Sequence, residues 1–161
     1  MKKIIIDGYN LIHSIPKLKN KLNSDLESAR NDLTDMLFRY KNKKKVDITV
    51  VFDGRAGSIE SKDRKKGIVV YFSHAPEKAD QVIKRLIDKN EKEKGVMVVS
   101  SDREIFDYAK MCGLKRVRSD NFTDKLLSLQ TKSSTSKRNK KKTDHTMSNE
   151  ELQGWMDLFG E

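Results

Sequence analysis

The chain has 161 residues, enough for one compact domain with a real core plus a tail, and it is 35% hydrophobic and 36% charged. Its formal net charge is +10 and it holds a single cysteine, Cys112, so an intrachain disulfide is excluded and a reducing, cytoplasmic setting is expected. No stretch approaches the roughly 18 apolar residues of a membrane span, and Asp7 and Asn10 break the opening apolar run too early for a secretory leader.

Ile4-Ile5-Ile6 reads as a strand buried on both faces. It runs into Asp7-Gly8-Tyr9-Asn10, with the glycine permitting a tight turn. In an open parallel sheet ligands gather outside the carboxyl ends of the strands, which puts Asp7 and Asn10 at the rim. Taken alone, this is also an ordinary Asp-Gly turn with Asn10 capping a helix. An irregular basic segment, Ile15 to Lys21, comes next. Ser24-Asp25-Leu26-Glu27 has the spacing of a capping box, and Leu22, Leu26, Ala29, Leu33, Leu37 and Tyr40 recur at helical intervals. The lysines at 41–45 close that helix at the negative end of its dipole.

Val46 to Phe52 is the second strand, and it too ends in an acid and a glycine, Asp53-Gly54. Residues 54–66 read as a loop whose Arg55, Lys62, Arg64, Lys65 and Lys66 could contact phosphates. The third strand is Gly67 to Phe72. Pro76 marks the first turn of a helix with Ala79, Val82, Ile83, Leu86 and Ile87 on one face and Asp80 off it. Gly95 to Ser101 is the fourth strand, and Asp102 ends it. Ser101 to Glu104 gives a second capping box, before a helix with Ile105, Phe106, Ala109 and Met111 that Gly113 closes. A short fifth strand over 115–118 and a helix from Asp120 through Leu129 follow.

Composition changes near residue 132. The folded part, 1–131, is itself positive at +9; the stretch from Thr131 to His145, rich in Lys, Ser, Thr and Asn, holds no apolar residue, and 132–147 reads as a disordered basic linker. Residues 148–161 open with a third capping box, Ser148 to Glu151, and place Leu152, Trp155, Met156 and Phe159 in one stripe. That helix is expected to dock, on the body or on a partner. His13, His74 and His145 are scattered and read as surface or loop residues.

Strand and helix alternate in the order of a doubly wound, mainly parallel sheet of about five strands. In that fold Asp7, Asp53 and Asp102 end three strands, with Asp80 at a nearby helix start. Converging carboxylates repel one another, and Mg²⁺ or Mn²⁺ between them makes the arrangement tolerable. Such a site can activate water and stabilise the leaving oxygen of a phosphodiester. A positive body around an acidic cleft suits a polyanion, most simply nucleic acid, so Arg103 joins the loop cations as a candidate phosphate contact. A haloacid-dehalogenase-type phosphatase needs a second Asp where Tyr9 stands, and no G-x-G-x-x-G follows the first strand for a dinucleotide.

Residues 5–12 (Ile-Ile-Asp-Gly-Tyr-Asn-Leu-Ile), 51–54 (Val-Phe-Asp-Gly), 79–80 (Ala-Asp) and 98–105 (Val-Val-Ser-Ser-Asp-Arg-Glu-Ile) resemble the NYN domain, and more closely its YacP-like branch, related to PIN and FLAP nucleases. The resemblance covers about residues 3–125 and weakens after 115. It implies a PIN-like fold over 1–131 and a metal-dependent endoribonuclease. Asp7, Asn10, Asp53, Asp80 and Asp102 would form the acidic site, the four aspartates would bind Mg²⁺ or Mn²⁺, and mRNA on the ribosome is the suggested context. A catalytically silent RNA- or ribosome-binding module of the same fold is the alternative.

Overall fold

The computed structural model describes residues 2–54, 61–65, 67–131 and 147–159; Arg55, Lys66 and the expected linker up to residue 146 lie outside them. The elements are β1 (Lys3–Asp7), α1 (Gly8–His13), α2 (Pro16–Lys19), α3 (Leu26–Lys44), β2 (Asp47–Phe52), β3 (Ser61–Lys65) and β4 (Ile68–Phe72). They continue with α4 (Ala79–Lys89), β5 (Val96–Val99), α5 (Arg103–Met111), β6 (Lys115–Val117), α6 (Ser119–Thr131) and α7 (Asn149–Phe159). None of the described helices is long and apolar enough to cross a membrane.

The sheet has the order β3-β4-β2-β1-β5-β6, parallel throughout except for β3, which pairs antiparallel with β4. Alternation along each strand divides the core into two layers. Ile4, Ile6, Ile48, Val50, Phe52, Met97 and Val99 face a large cluster with α1, α2, α3, α6 and α7, whereas Ile5, Val51, Val96 and Val98 face a smaller one with α4 and α5. The isoleucine run is therefore buried on both sides, as β-branched central strands require. The strand order reverses between β1 and β5, which opens the crevice of a doubly wound sheet at the end of β1.

Several local expectations are corrected. The segment 54–66 is not all loop: its second half is β3, a charged strand that forms a hairpin with β4. The segment after Asn10 is helical, as α1 and α2. The cap of α3 is Asp25, whose Oδ1 accepts the Ser28 N–H at 3.0 Å, in place of Ser24. Pro76 follows a cis peptide and precedes the helix; α4 starts at Ala79. Met111 is 74% exposed and leaves the apolar face of α5. Ser119, not Asp120, opens α6.

Gly8 does not make a turn; it is the first residue of α1. A β-carbon there would lie 2.4 Å from the Phe52 ring and 2.9 Å from the Val51 carbonyl oxygen, so the helix can start this close to β2 only with glycine. Gly8→Ala is expected to lower stability by about 1–3 kcal/mol in urea unfolding, the cost of overpacking.

Helix α7 folds back onto the body and packs along β6. Its third capping box forms as expected: Ser148 Oγ accepts the Glu151 N–H at 3.2 Å and Glu151 Oε1 accepts the Ser148 N–H at 3.3 Å. The buried face matches the predicted stripe only at Trp155 and Phe159. Glu151, Gly154, Trp155 and Leu158 point inward, while Leu152 and Met156 are exposed. Trp155 lies 6.3 Å from the Phe122 ring and 4.4 Å from Phe159, with Lys125 Nζ 5.1 Å above its own ring. On the other side of β6, Glu150 pairs with Arg116 and, at 3.1 Å, with Lys110 of α5. The helix thus wraps the edge of the sheet. Trp155→Ala is expected to cost about 3–5 kcal/mol in the isolated protein, the range for emptying a buried aromatic site, read as a lower denaturation midpoint.

Candidate active site

The carboxyl edge of the sheet is built from strand ends that hand directly to helix starts. Asp7 is the last residue of β1 and the N-cap position of α1. It has the parity of Ile5, which puts it on the α4–α5 side. Asp53 follows β2, and its Oδ1 accepts the N–H of Ala79, the first residue of α4, at 2.6 Å. Ser73, one residue past β4, braces it: its Oγ accepts the Gly54 N–H at 3.0 Å and lies 3.5 Å from Asp53 Oδ1. Asp80 sits in the first turn of α4. Asp102, not Ser101 as its capping box predicts, is the N-cap of α5 and accepts the Glu104 N–H at 2.9 Å.

Asp7 is the most constrained of these acids. Its pKa is pushed up to about 6, chiefly by burial; the Ser100 hydroxyl, 3.1 Å from Oδ2, pulls the other way, and Asp102 and Asp53 push it further up. Ser100 is fully buried and also accepts the Asp102 N–H at 3.0 Å, so one hydroxyl ties the two acids on either side of the strand reversal. On the other flank, Lys84 Nζ lies 2.5 Å from Glu104 and is held above the usual lysine value, first by that bond and further by Asp80 and Asp102. This lysine offsets part of the repulsion. It was invisible in the sequence because the acids it serves come from two helices.

Asn10 has a different part. Its Oδ1 accepts two donors, the Ser101 N–H at 2.7 Å and the Ser119 hydroxyl at 2.6 Å, which makes it a brace between α1, the β5–α5 loop and α6. Ser101 Oγ in turn accepts the Ser119 N–H at 3.0 Å instead of capping α5. Ser73, Ser119 and Glu151 carry the site's framework, and the sequence did not assign them to the site. Ser73 had a signal, since it follows a parallel strand as Asp53 does, and Glu151 was legible only as the end of a capping box.

The cation candidates separate. Arg103 is exposed at the start of α5 and lines a groove of about 450 Å³ with Phe106, Arg118 and the first turn of α7. The backbone of Lys62, Arg64 and Lys65 lies in β3, where Lys65 pairs with Ile68 at the opposite edge of the sheet. At about 3.3 Å per residue that is roughly 13 Å from the end nearest the acids. The run does not lie as a whole beside the cleft.

The donors are carboxylate oxygens, hard ligands that suit Mg²⁺ or Mn²⁺, and an acid as buried as Asp7 would gain from a cation beside it. The residues fit such an ion in chemistry. In arrangement they do not form a closed cage: among the described residues no three His, Cys, Asp or Glu side chains gather closely enough to hold one.

A six-stranded sheet of this order, with acids at the carboxyl edge, is an NYN (PIN-like) fold. The family model of the YacP-like NYN domain matches residues 4–159, and the chain belongs to that family. The match runs past the motifs to include α7. A relative, the uncharacterized protein YacP of Bacillus subtilis (strain 168), is 31% identical over 87 residues, 53% of this chain and 51% of that protein. The matched stretch thus spans about half the length of that relative. The crystal structure of Rae1 (YacP) from Bacillus subtilis superposes with a TM-score of 0.68 at 24% identity, covering 83% of this chain and 78% of that one. A tryptophan-to-leucine variant of Rae1 (YacP) gives 0.70 at 23% identity, over 82% and 79%. These likenesses establish the fold, and the family points to a nuclease-like, RNA-related function.

The raised pKa of Asp7 has a consequence for stability. Its native value, about 6, lies above the unfolded 3.8, so the ionised acid burdens the folded state. The penalty is absent below pH 3.8, grows between the two values and is complete above about 6. Asp7→Asn should therefore unfold at higher urea than the parent at pH 7–8, by up to about 3 kcal/mol, and the advantage should vanish toward pH 4.

Proposed function

We propose that this protein is a metal-dependent endoribonuclease that hydrolyses RNA phosphodiester bonds at the cleft between the ends of β1 and β5. The observation that carries the reading is Asp7, an acid half-buried at the strand reversal within the fields of Asp53 and Asp102, in a chain of net charge +10. Asp7, Asp53, Asp80 and Asp102 would hold Mg²⁺ or Mn²⁺, which when bound supplies an activated water and charge for the leaving oxygen. The chain's own residues do the rest. Backbone N–H groups at the starts of α4 and α5 orient the Asp53 and Asp102 carboxylates. Asn10 and Ser100 fix the distance between the two central strands' ends. Arg103, exposed beside Asp102, would hold a phosphate without reading a base. Family membership supports RNA as the substrate; mRNA on the ribosome and a cytoplasmic location belong to the same proposal.

A second reading has two observations in its favour. No closed carboxylate cage is present among the described residues, and Lys84 already offsets part of the negative charge, as a silent RNA- or ribosome-binding module would require. The two part in one experiment. Labelled RNA is incubated with the protein in Mg²⁺, Mn²⁺ or EDTA, alone and with ribosomes, beside Asp102→Asn. Cleavage that needs the cation and falls by at least about 10²-fold in the variant is expected. RNA retained without cleavage under every condition would leave the binding module standing.

A further inference from the structure

We infer that Glu151, on a helix far from the acids in sequence, is a positioning residue for the acidic cleft. The inference rests on the endoribonuclease reading for its catalytic consequence, and on geometry alone for the coupling. Glu151 is 2% exposed, and burying a carboxylate is costly unless donors surround it. Its Oε2 accepts the Arg118 N–H and the Asn121 side-chain amide, both at 2.9 Å, while Oε1 takes the Ser148 N–H. Two of those donors bracket Ser119, the first residue of α6 and itself fully buried. Ser119 then gives its N–H to Ser101 Oγ and its hydroxyl to Asn10 Oδ1. Asn10 Oδ1 also holds the Ser101 N–H, and the next peptide N–H along, that of Asp102, is held by Ser100, which bonds Asp7.

A line of hydrogen bonds, joined through the backbone at Arg118–Ser119 and Ser101–Asp102, therefore runs from α7 to the two acids that flank the strand reversal. Glu151, Asn121, Ser119 and Ser100 are at most 3% exposed, so water has little access to their polar atoms, while Asn10 and Ser101 are half-buried. A carboxylate is the right group at the far end because it only accepts: all its partners here are N–H donors. An amide in its place would turn one acceptor into a donor facing donors. The loop that carries Asp102 would then lose its stop on the α6 side, and small displacements matter, since about 1 Å of misplacement can cost 10²-fold in rate.

The test uses the full chain. In Glu151→Gln, the backbone amide NMR signals of Ser119, Ser101 and Asp102 should shift and exchange with deuterium at least about tenfold faster, while those of Ile5 and Val50 stay. RNA cleavage should lose kcat by about tenfold or more with KM little changed. Leu158→Ala, on the same helix and outside the network, is the control: it should lower the melting temperature but leave the Ser101 and Asp102 amides in place. Should Glu151→Gln not fold, Ser119→Ala cuts the same line at one hydroxyl and should move the Ser101 amide. The inference is overturned if Ser101 and Asp102 are unmoved in the Glu151→Gln or Ser119→Ala protein, or if Leu158→Ala moves them equally. If the parent protein cleaves no RNA, the nuclease reading falls alone and the amide signals still decide the coupling.

Discussion

An ionised carboxylate at the end of a central strand loses hydration on every side that the sheet and helices cover, and Asp7 meets that loss with Asp102 and Asp53 close by. Much of the surrounding structure can be read as a response to this. Ser100 offers a hydroxyl, and its own backbone N–H is fixed to the Val117 carbonyl of the neighbouring strand, 3.2 Å away. Asp53 is turned toward the start of α4, and Asp102 toward the start of α5, where helix dipoles favour negative charge. Lys84, paired with Glu104, feels the charges of Asp80 and Asp102 and serves as a built-in counter-charge. Asp7, Asp53 and Asp102 are thus tethered individually, by Ser100 and by the starts of α4 and α5. A cleft arranged in this way keeps several negative groups at one edge without collapsing around any of them.

The sequence was most legible where information is local. β-branched runs marked β1, β2, β4 and β5, and the alternation of these runs with amphipathic helices was enough for a parallel doubly wound sheet. The acids were found because each directly ends a strand or opens a helix. Where partners lie far apart in sequence the reading failed for physical reasons. The segment Ser-Lys-Asp-Arg-Lys has no apolar alternation, and β3 exists because its backbone pairs with β4 across a hairpin. Two helix caps were displaced by one residue because Ser24-Asp25 and Ser101-Asp102 each offer two competent oxygens. The stripe on α7 was located, but its buried face includes Glu151, which only its donors at 118 and 121 explain. Periodicity finds a face; it does not say which polar residue the face must contain.

The wrapping of β6 by α7 sets an order of completion during synthesis. The whole sheet and six of its helices precede Asn149 in the chain, so Tyr40, Phe122 and the stem of Lys115 are made before the helix that covers them. Until α7 docks, the seat that it covers beside the short edge strand is open and the Glu151 end of the bracing is missing. The cleft is fully supported only once α7 is seated, which makes its docking the step that separates a folded sheet from a finished site.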